Sequence, residues 1–119
     1  MKYICDTNFI LRYLLGDNIK MFEEAKEIFN QAKTGEITLL IEQTVFTEVV
    51  FVLSSFYKIP REKIGSILSE LLVYKGIKCE REILTLALSY YTKYNLHIVD
   101  CILAAKTKIT EAQILTFDE

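Results

Sequence analysis

Histidine is almost absent from this 119-residue chain, with His97 the only one. The three cysteines, Cys5, Cys79 and Cys101, are odd in number and lack C-x-x-C spacing, which argues against both a disulfide framework and a structural zinc site. Cys5 and Cys101 lie within apolar runs, where a reduced thiol behaves as a small buried hydrophobe. Neither sign of charge dominates: 14 Lys and Arg face 16 Asp and Glu, for a formal charge of −2. That excludes a broadly basic nucleic-acid coat, but not a rim of cations beside a site. No charge-free apolar run reaches membrane-spanning length, and the N-terminus opens on a strand-like run instead of a basic stretch with a leader core. The cytoplasm is therefore the expected compartment. Repeats, low-complexity segments and linkers are also missing. With 51% hydrophobic residues, a single domain over residues 1–119 with one core is expected.

The remaining pattern alternates strands and helices. Lys2 to Cys5 reads as a short strand, followed by Asp6-Thr7-Asn8, three capping side chains ahead of a helix carrying Phe9, Ile10, Leu11, Tyr13, Leu14 and Leu15. Gly16-Asp17-Asn18 breaks the chain, and a second helix from about Met21 to Ala32 ends at Gly35. Ile37 to Ile41 reads as a strand and Gln43 to about Tyr57 as a long, mostly buried helix. Pro60 suits the first turn of another helix that ends near Gly76. Ile77-Lys78-Cys79 is a weak strand, Ile83 to Tyr94 and Ile98 to about Thr107 are helices, and Gln113 to Phe117 is a last strand. This order predicts an α/β layer fold with a mainly parallel sheet, in which sites form beyond the carboxyl ends of the strands.

Four acids stand out against this frame: Asp6, Glu48, Asp100 and Asp118. Asp6 and Asp118 directly follow apolar strand-like runs. Glu48 and Asp100 interrupt apolar segments, Val45-Phe46-Thr47-Glu48-Val49-Val50-Phe51 and Ile98-Val99-Asp100-Cys101-Ile102-Leu103. Buried carboxylates are costly unless paired or holding a cation, so a shared metal is an economical account of the set. Each has a plainer reading: Asp6 and Asp100 as helix caps, Glu48 on a surface stripe shared with Thr44 and Ser55, and Asp118 as an exposed acid.

Asp6-Thr7-Asn8, Glu48, Asp100 with Ala104-Ala105, and Thr116-Phe117-Asp118, in this order across a small domain, resemble the PIN-domain ribonucleases. Within them, the likeness is to the toxin nucleases of VapBC-type toxin–antitoxin pairs. The resemblance implies a parallel sheet of four or five strands flanked by helices, Mg²⁺ or Mn²⁺ held by the acids, and hydrolysis of RNA. It places Asp6, Glu48, Asp100 and Asp118 as catalytic metal-binding residues, with Asn8 and Thr116 as supporting polar groups. Relatives usually continue through a further apolar stretch beyond the last acid, whereas this sequence stops at Glu119. A small antitoxin protein is the expected partner, with a homodimer and no membrane contact. An RNA-processing factor and a catalytically silent PIN-fold binding module are the alternatives.

The chemistry agrees with the residue types. Mg²⁺ and Mn²⁺ favour oxygen ligands, and one or two such ions can activate water and stabilise charge in phosphodiester hydrolysis. Arg12, Lys58, Arg61, Lys93 and Lys106 are candidate phosphate partners, and Tyr90, Tyr91 and Tyr94 candidate stacking or packing residues. A haloacid-dehalogenase-like phosphatase would need Asp-x-Asp where Asp6-Thr7-Asn8 stands. A receiver domain would need an acid at the Ile77-Lys78-Cys79 strand.

Overall fold

Short apolar runs ending in capping side chains set the first turns of the chain. In the computed structural model, which describes residues 1–117, strand β1 (Lys2–Ile4) leads into Asp6. The Asp6 carboxylate caps helix α1 (Thr7–Leu15) by accepting the Phe9 N–H at 2.9 Å. Gly16 closes α1 in the left-handed conformation at φ 62°, where a side chain would be strained. Asn18 then caps α2 (Ile19–Thr34) by accepting the Met21 N–H at 3.0 Å. Strand β2 (Thr38–Leu40), helix α3 (Gln43–Ser55), helix α4 (Arg61–Leu72), strand β3 (Ile77–Lys78), helix α5 (Arg81–Lys93) and helix α6 (Ile98–Thr110) follow.

Both ends of α4 differ from expectation. Pro60 is the extended N-cap residue of α4 and not part of its first turn. That helix also stops at Leu72 instead of continuing towards Gly76. Arg81, at the start of α5, bonds the Leu72 carbonyl at 2.7 Å and the Ile77 carbonyl at 2.9 Å. The guanidinium thus satisfies helix-end and strand carbonyls that would otherwise lack partners.

The sheet is parallel, in the order β1-β2-β3, with Lys2 beside Thr38, Ile4 beside Leu40, and Leu40 beside Lys78. Each crossover uses two helices, as parallel neighbours require a long connection. The expected parallel α/β architecture is present, with three strands among the described residues where four or five were expected. Gln113–Phe117 is not a strand. The chain leaves α6 through Glu111 in the left-handed conformation (φ 63°) and runs on without a ladder. Leu115 and Phe117 are fully exposed. An alternating apolar pattern earns strand geometry only where a neighbouring strand pairs with it and covers it, and no described strand pairs with this segment.

One continuous core joins the elements. Its aromatic part is fully buried Phe29, stacked on Tyr13 at 4.1 Å between ring centroids and on Phe9 at 5.7 Å. The Tyr13 and Tyr74 hydroxyls meet at 2.7 Å, so the polar ends of these rings are satisfied. Each fully buried Leu, Ile or Phe contributes about 1.5–3 kcal/mol.

Cys5, at the end of β1, is buried among these residues, and its burial, helped by the adjacent Asp6 charge, pushes the thiol up to about 11. An unfolded thiol ionises near 8.5. A raised folded-state value means the contribution is complete below about pH 8.5 and is lost as pH climbs towards 11. Urea midpoints of the wild type should therefore fall across that alkaline window more steeply than those of Cys5→Ala. Superimposable pH curves for the two proteins would refute the assignment.

Candidate active site

The carboxyl ends of β1 and β2 deliver the first two acids. Asp6 stands just beyond β1, one carboxylate oxygen occupied by its capping bond. Glu48 sits in the second turn of α3, the helix that follows β2. The two face a common hollow of about 510 Å³, also lined by Asn8, Arg12, Phe56 and Tyr57. Asp100 lies in the first turn of α6, where the helix dipole favours an acid. It faces a second hollow of about 740 Å³ together with Glu48, Phe51, Arg61 and His97. A third hollow of about 560 Å³ shares Asp6, Asn8 and Arg12 with the first and reaches Glu24 on α2. Glu48 is the common wall of the first two hollows, and the three together form a groove across the carboxyl end of the sheet.

The energetic premise drawn from the sequence needs correcting. Asp6, Glu48 and Asp100 are all exposed, and no polar or charged residue is fully buried among the described residues. Most of α3 is apolar, but Thr44, Glu48, Phe51 and Ser55 form an exposed stripe along it, so Glu48 needs no cation to be tolerated. Capping is realised for Asp6 alone. His97 is the N-cap residue of α6 and makes no side-chain capping bond there.

Oxygen donors of this kind suit Mg²⁺ or Mn²⁺, and none of the three acids forms an ion pair among the described residues. They are distributed as Asp6 with Glu48 and Glu48 with Asp100. No group of three Asp, Glu, His or Cys that could hold a metal ion is present among the described residues. Asp118 lies outside the described residues. Thr116 is exposed in the segment after α6 and lines neither of the two acidic hollows.

Two arginines turn out to be braces. Arg12 bonds both oxygens of Asp17 through Nη1 at 2.9 Å and donates to the Tyr57 hydroxyl through Nη2 at 3.2 Å. The Tyr57 bond and the Asp17 charge hold its proton above the ordinary arginine range, against partial desolvation. Because Tyr57 directly follows the end of α3, this bond links the Asp6 side of the groove to the Glu48 side. Arg61, at the start of α4, places Nη1 at 3.0 Å from the Tyr91 carbonyl, 3.2 Å from Tyr94 and 2.7 Å from Leu96, with its carbon 4.1 Å from the Tyr91 ring centre. It thereby pins the α5–α6 connection ahead of Asp100. Tyr91 is buried and Tyr90 packs against the core, while Tyr94, tilted on Tyr90 at 6.3 Å, is exposed. No local signal marks Arg61 as a brace, since its three acceptors lie 30 to 35 residues away.

Arg61→Ala should lower stability by about 2 kcal/mol, the scale of a partly exposed charge-assisted hydrogen-bond cluster. Lysine should recover only part, because a point charge replaces the guanidinium plane. Urea unfolding measures this, and an unchanged midpoint in Arg61→Ala would remove the bracing role.

None of the curated protein sequences matches this chain. The PIN domain profile matches residues 3–119, nearly the whole sequence. The chain belongs to the PIN domain family, whose members are generally metal-dependent nucleases.

Proposed function

We propose that this protein is an Mg²⁺- or Mn²⁺-dependent endoribonuclease and the toxin of a toxin–antitoxin pair. The observation carrying the reading is the placement of three exposed carboxylates without ion-pair partners along one groove at the carboxyl end of a parallel sheet, in a PIN domain. Asp6, Glu48 and Asp100 would supply ligands to the divalent ion together with Asp118, since the three alone do not form a metal-binding group. When bound, such an ion supplies Lewis-acid stabilisation of charge on the phosphoryl oxygens.

The chain's own groups perform the rest. Glu48, between the two hollows, orients the attacking water by accepting one of its protons in a hydrogen bond. Asn8 presents an amide beside Asp6, and Thr116 is a supporting group by resemblance alone. The water oxygen forms the new bond to phosphorus as one of its protons passes to solvent, the bond from phosphorus to the leaving ribose oxygen breaks, and solvent supplies a proton to that oxygen. The toxin reading rests on the likeness of the acidic strings to VapBC-type nucleases. It brings with it a small antitoxin partner and a homodimer.

The test is cleavage of an unstructured RNA with Mg²⁺ or Mn²⁺, compared with excess EDTA. Cleavage should require the ion and return when it is restored. Equal cleavage in EDTA, or none with either ion, overturns the proposal.

A further inference from the structure

Two large apolar side chains, Phe51 on α3 and Phe56 at its C-cap, stand in solvent: Phe51 is 64% and Phe56 74% exposed. At about 100° and 1.5 Å per residue, Phe51 lies about 60° to one side of Glu48 and about 4.5 Å further along the helix, and Phe56 about 80° to the other side and about 12 Å along. The hollows repeat this division. Phe51 lines the one containing Asp100, and Phe56 the one containing Asp6. The Phe56 ring is held edge-on by Tyr57 at 4.9 Å and 75°. Thr44, Ser54 and Ser55 add hydroxyl groups to the wall beside Phe51.

This arrangement suits an unpaired polynucleotide better than a protein surface. Protein interfaces concentrate their aromatic residues in a dry centre depleted of charge. Here a carboxylate lines both hollows that hold the rings, and burying it under a protein would strip its water without a paired cation. A single strand instead brings alternating demands: flat bases that stack on aromatic faces, and a backbone that passes over the polar ground between them.

We propose that Phe51 and Phe56 are stacking platforms for two bases of single-stranded RNA, one in each of the hollows that Glu48 lines, so that the scissile phosphodiester crosses α3 beside Glu48. This rests on the nuclease reading and adds the residues that hold the bases and the path of the strand. Bases stacked on either side hold the backbone over the acids, and a duplex, its bases already stacked and paired, cannot use either platform.

The chain contains no tryptophan, so Phe51→Trp and Phe56→Trp each create a single fluorescent reporter at an exposed position. In an Asp100→Asn background with Mg²⁺, a 12-nucleotide single-stranded RNA should quench both reporters, and the same sequence as a duplex should quench neither. In the otherwise wild-type enzyme, Phe51→Leu and Phe56→Leu should each raise KM by about 5- to 150-fold, the range for losing one stacked base, with kcat little changed. Tyr or Trp at either position should restore KM. If the wild type cleaves RNA and the Leu variants keep its KM, the platforms are overturned while the nuclease reading stands. If the Leu variants keep KM but change sedimentation behaviour, the rings belong to a protein contact and the proposal is likewise overturned. If the wild type neither cleaves nor binds the RNA, both readings fall together.

Discussion

Asp100→Asn should reduce RNA cleavage by well over the roughly 10–100-fold that losing an outer-shell metal partner costs, if Asp100 is the direct ligand proposed. Asparagine keeps the size and one oxygen of the side chain but removes the negative charge that a divalent ion requires. The fold should hardly respond. Asp100 is exposed and makes no ion pair among the described residues, so only the helix-dipole contribution of about 0.3–1 kcal/mol is at stake. Asp6→Asn is the companion, since Asn caps helices about as well as Asp and should keep the bond to the Phe9 N–H. Metal titration by calorimetry alongside the cleavage assay separates ligand loss from misfolding. Wild-type turnover in either variant would remove that residue from the site.

The largest effect on folding is expected at Gly76, where the chain enters β3. Its N–H donates to the Ala32 carbonyl at 2.7 Å, and its own carbonyl accepts from the Leu39 N–H at 2.8 Å. A Cβ at this position would overlap the Ile37 carbonyl oxygen and lie 2.9 Å from the Ala32 carbonyl oxygen. Both obstacles are backbone, so no side chain can swing away. Relief requires moving β2 or the end of α2, and Gly76→Ala should cost about 3 kcal/mol or more, at the upper end for overpacked sites. Out of a total of about 5–15 kcal/mol typical of native domains, that is a large share. Gly35→Ala is the informative contrast. Gly35 has φ 84°, but the nearest atoms to an added Cβ belong to the flexible Lys75 side chain, leaving a backbone penalty of about 1–2 kcal/mol. Urea denaturation of both variants should rank them in this order, and a loss below about 1 kcal/mol for Gly76→Ala would show that the backbone yields more easily than packed interiors do.

Most helices were legible because they carry local instructions. Asp6 and Asn18 accept the capping bonds their types suggest, and Gly16 and Gly35 take the left-handed conformations that stop α1 and α2. What periodicity could not convey was the angular width of the open face on α3. Four exposed positions on an otherwise apolar helix suffice to put Glu48 in water. The segment after α6 misled for a related reason, since alternation describes a strand's faces and says nothing about a pairing partner. The acids were legible as an ordered set, while their division between two hollows depends on how α3 and α6 meet. The braces were invisible because Arg12 and Arg61 find acceptors far along the chain.

All three arginines of the chain are already engaged by protein acceptors: Arg12 by Asp17 and Tyr57, Arg61 by the α5–α6 connection, and Arg81 by the ends of α4 and β3. The cations left over are lysines, which meet phosphates as round, strongly hydrated charges and not as planar forks. Each phosphate neutralised in this way releases counterions, so affinity for a single strand should fall with a log–log salt slope of about −0.7 per contact. Ionic strength would then tune how firmly the strand is held, while the position of the cut would stay with the groove.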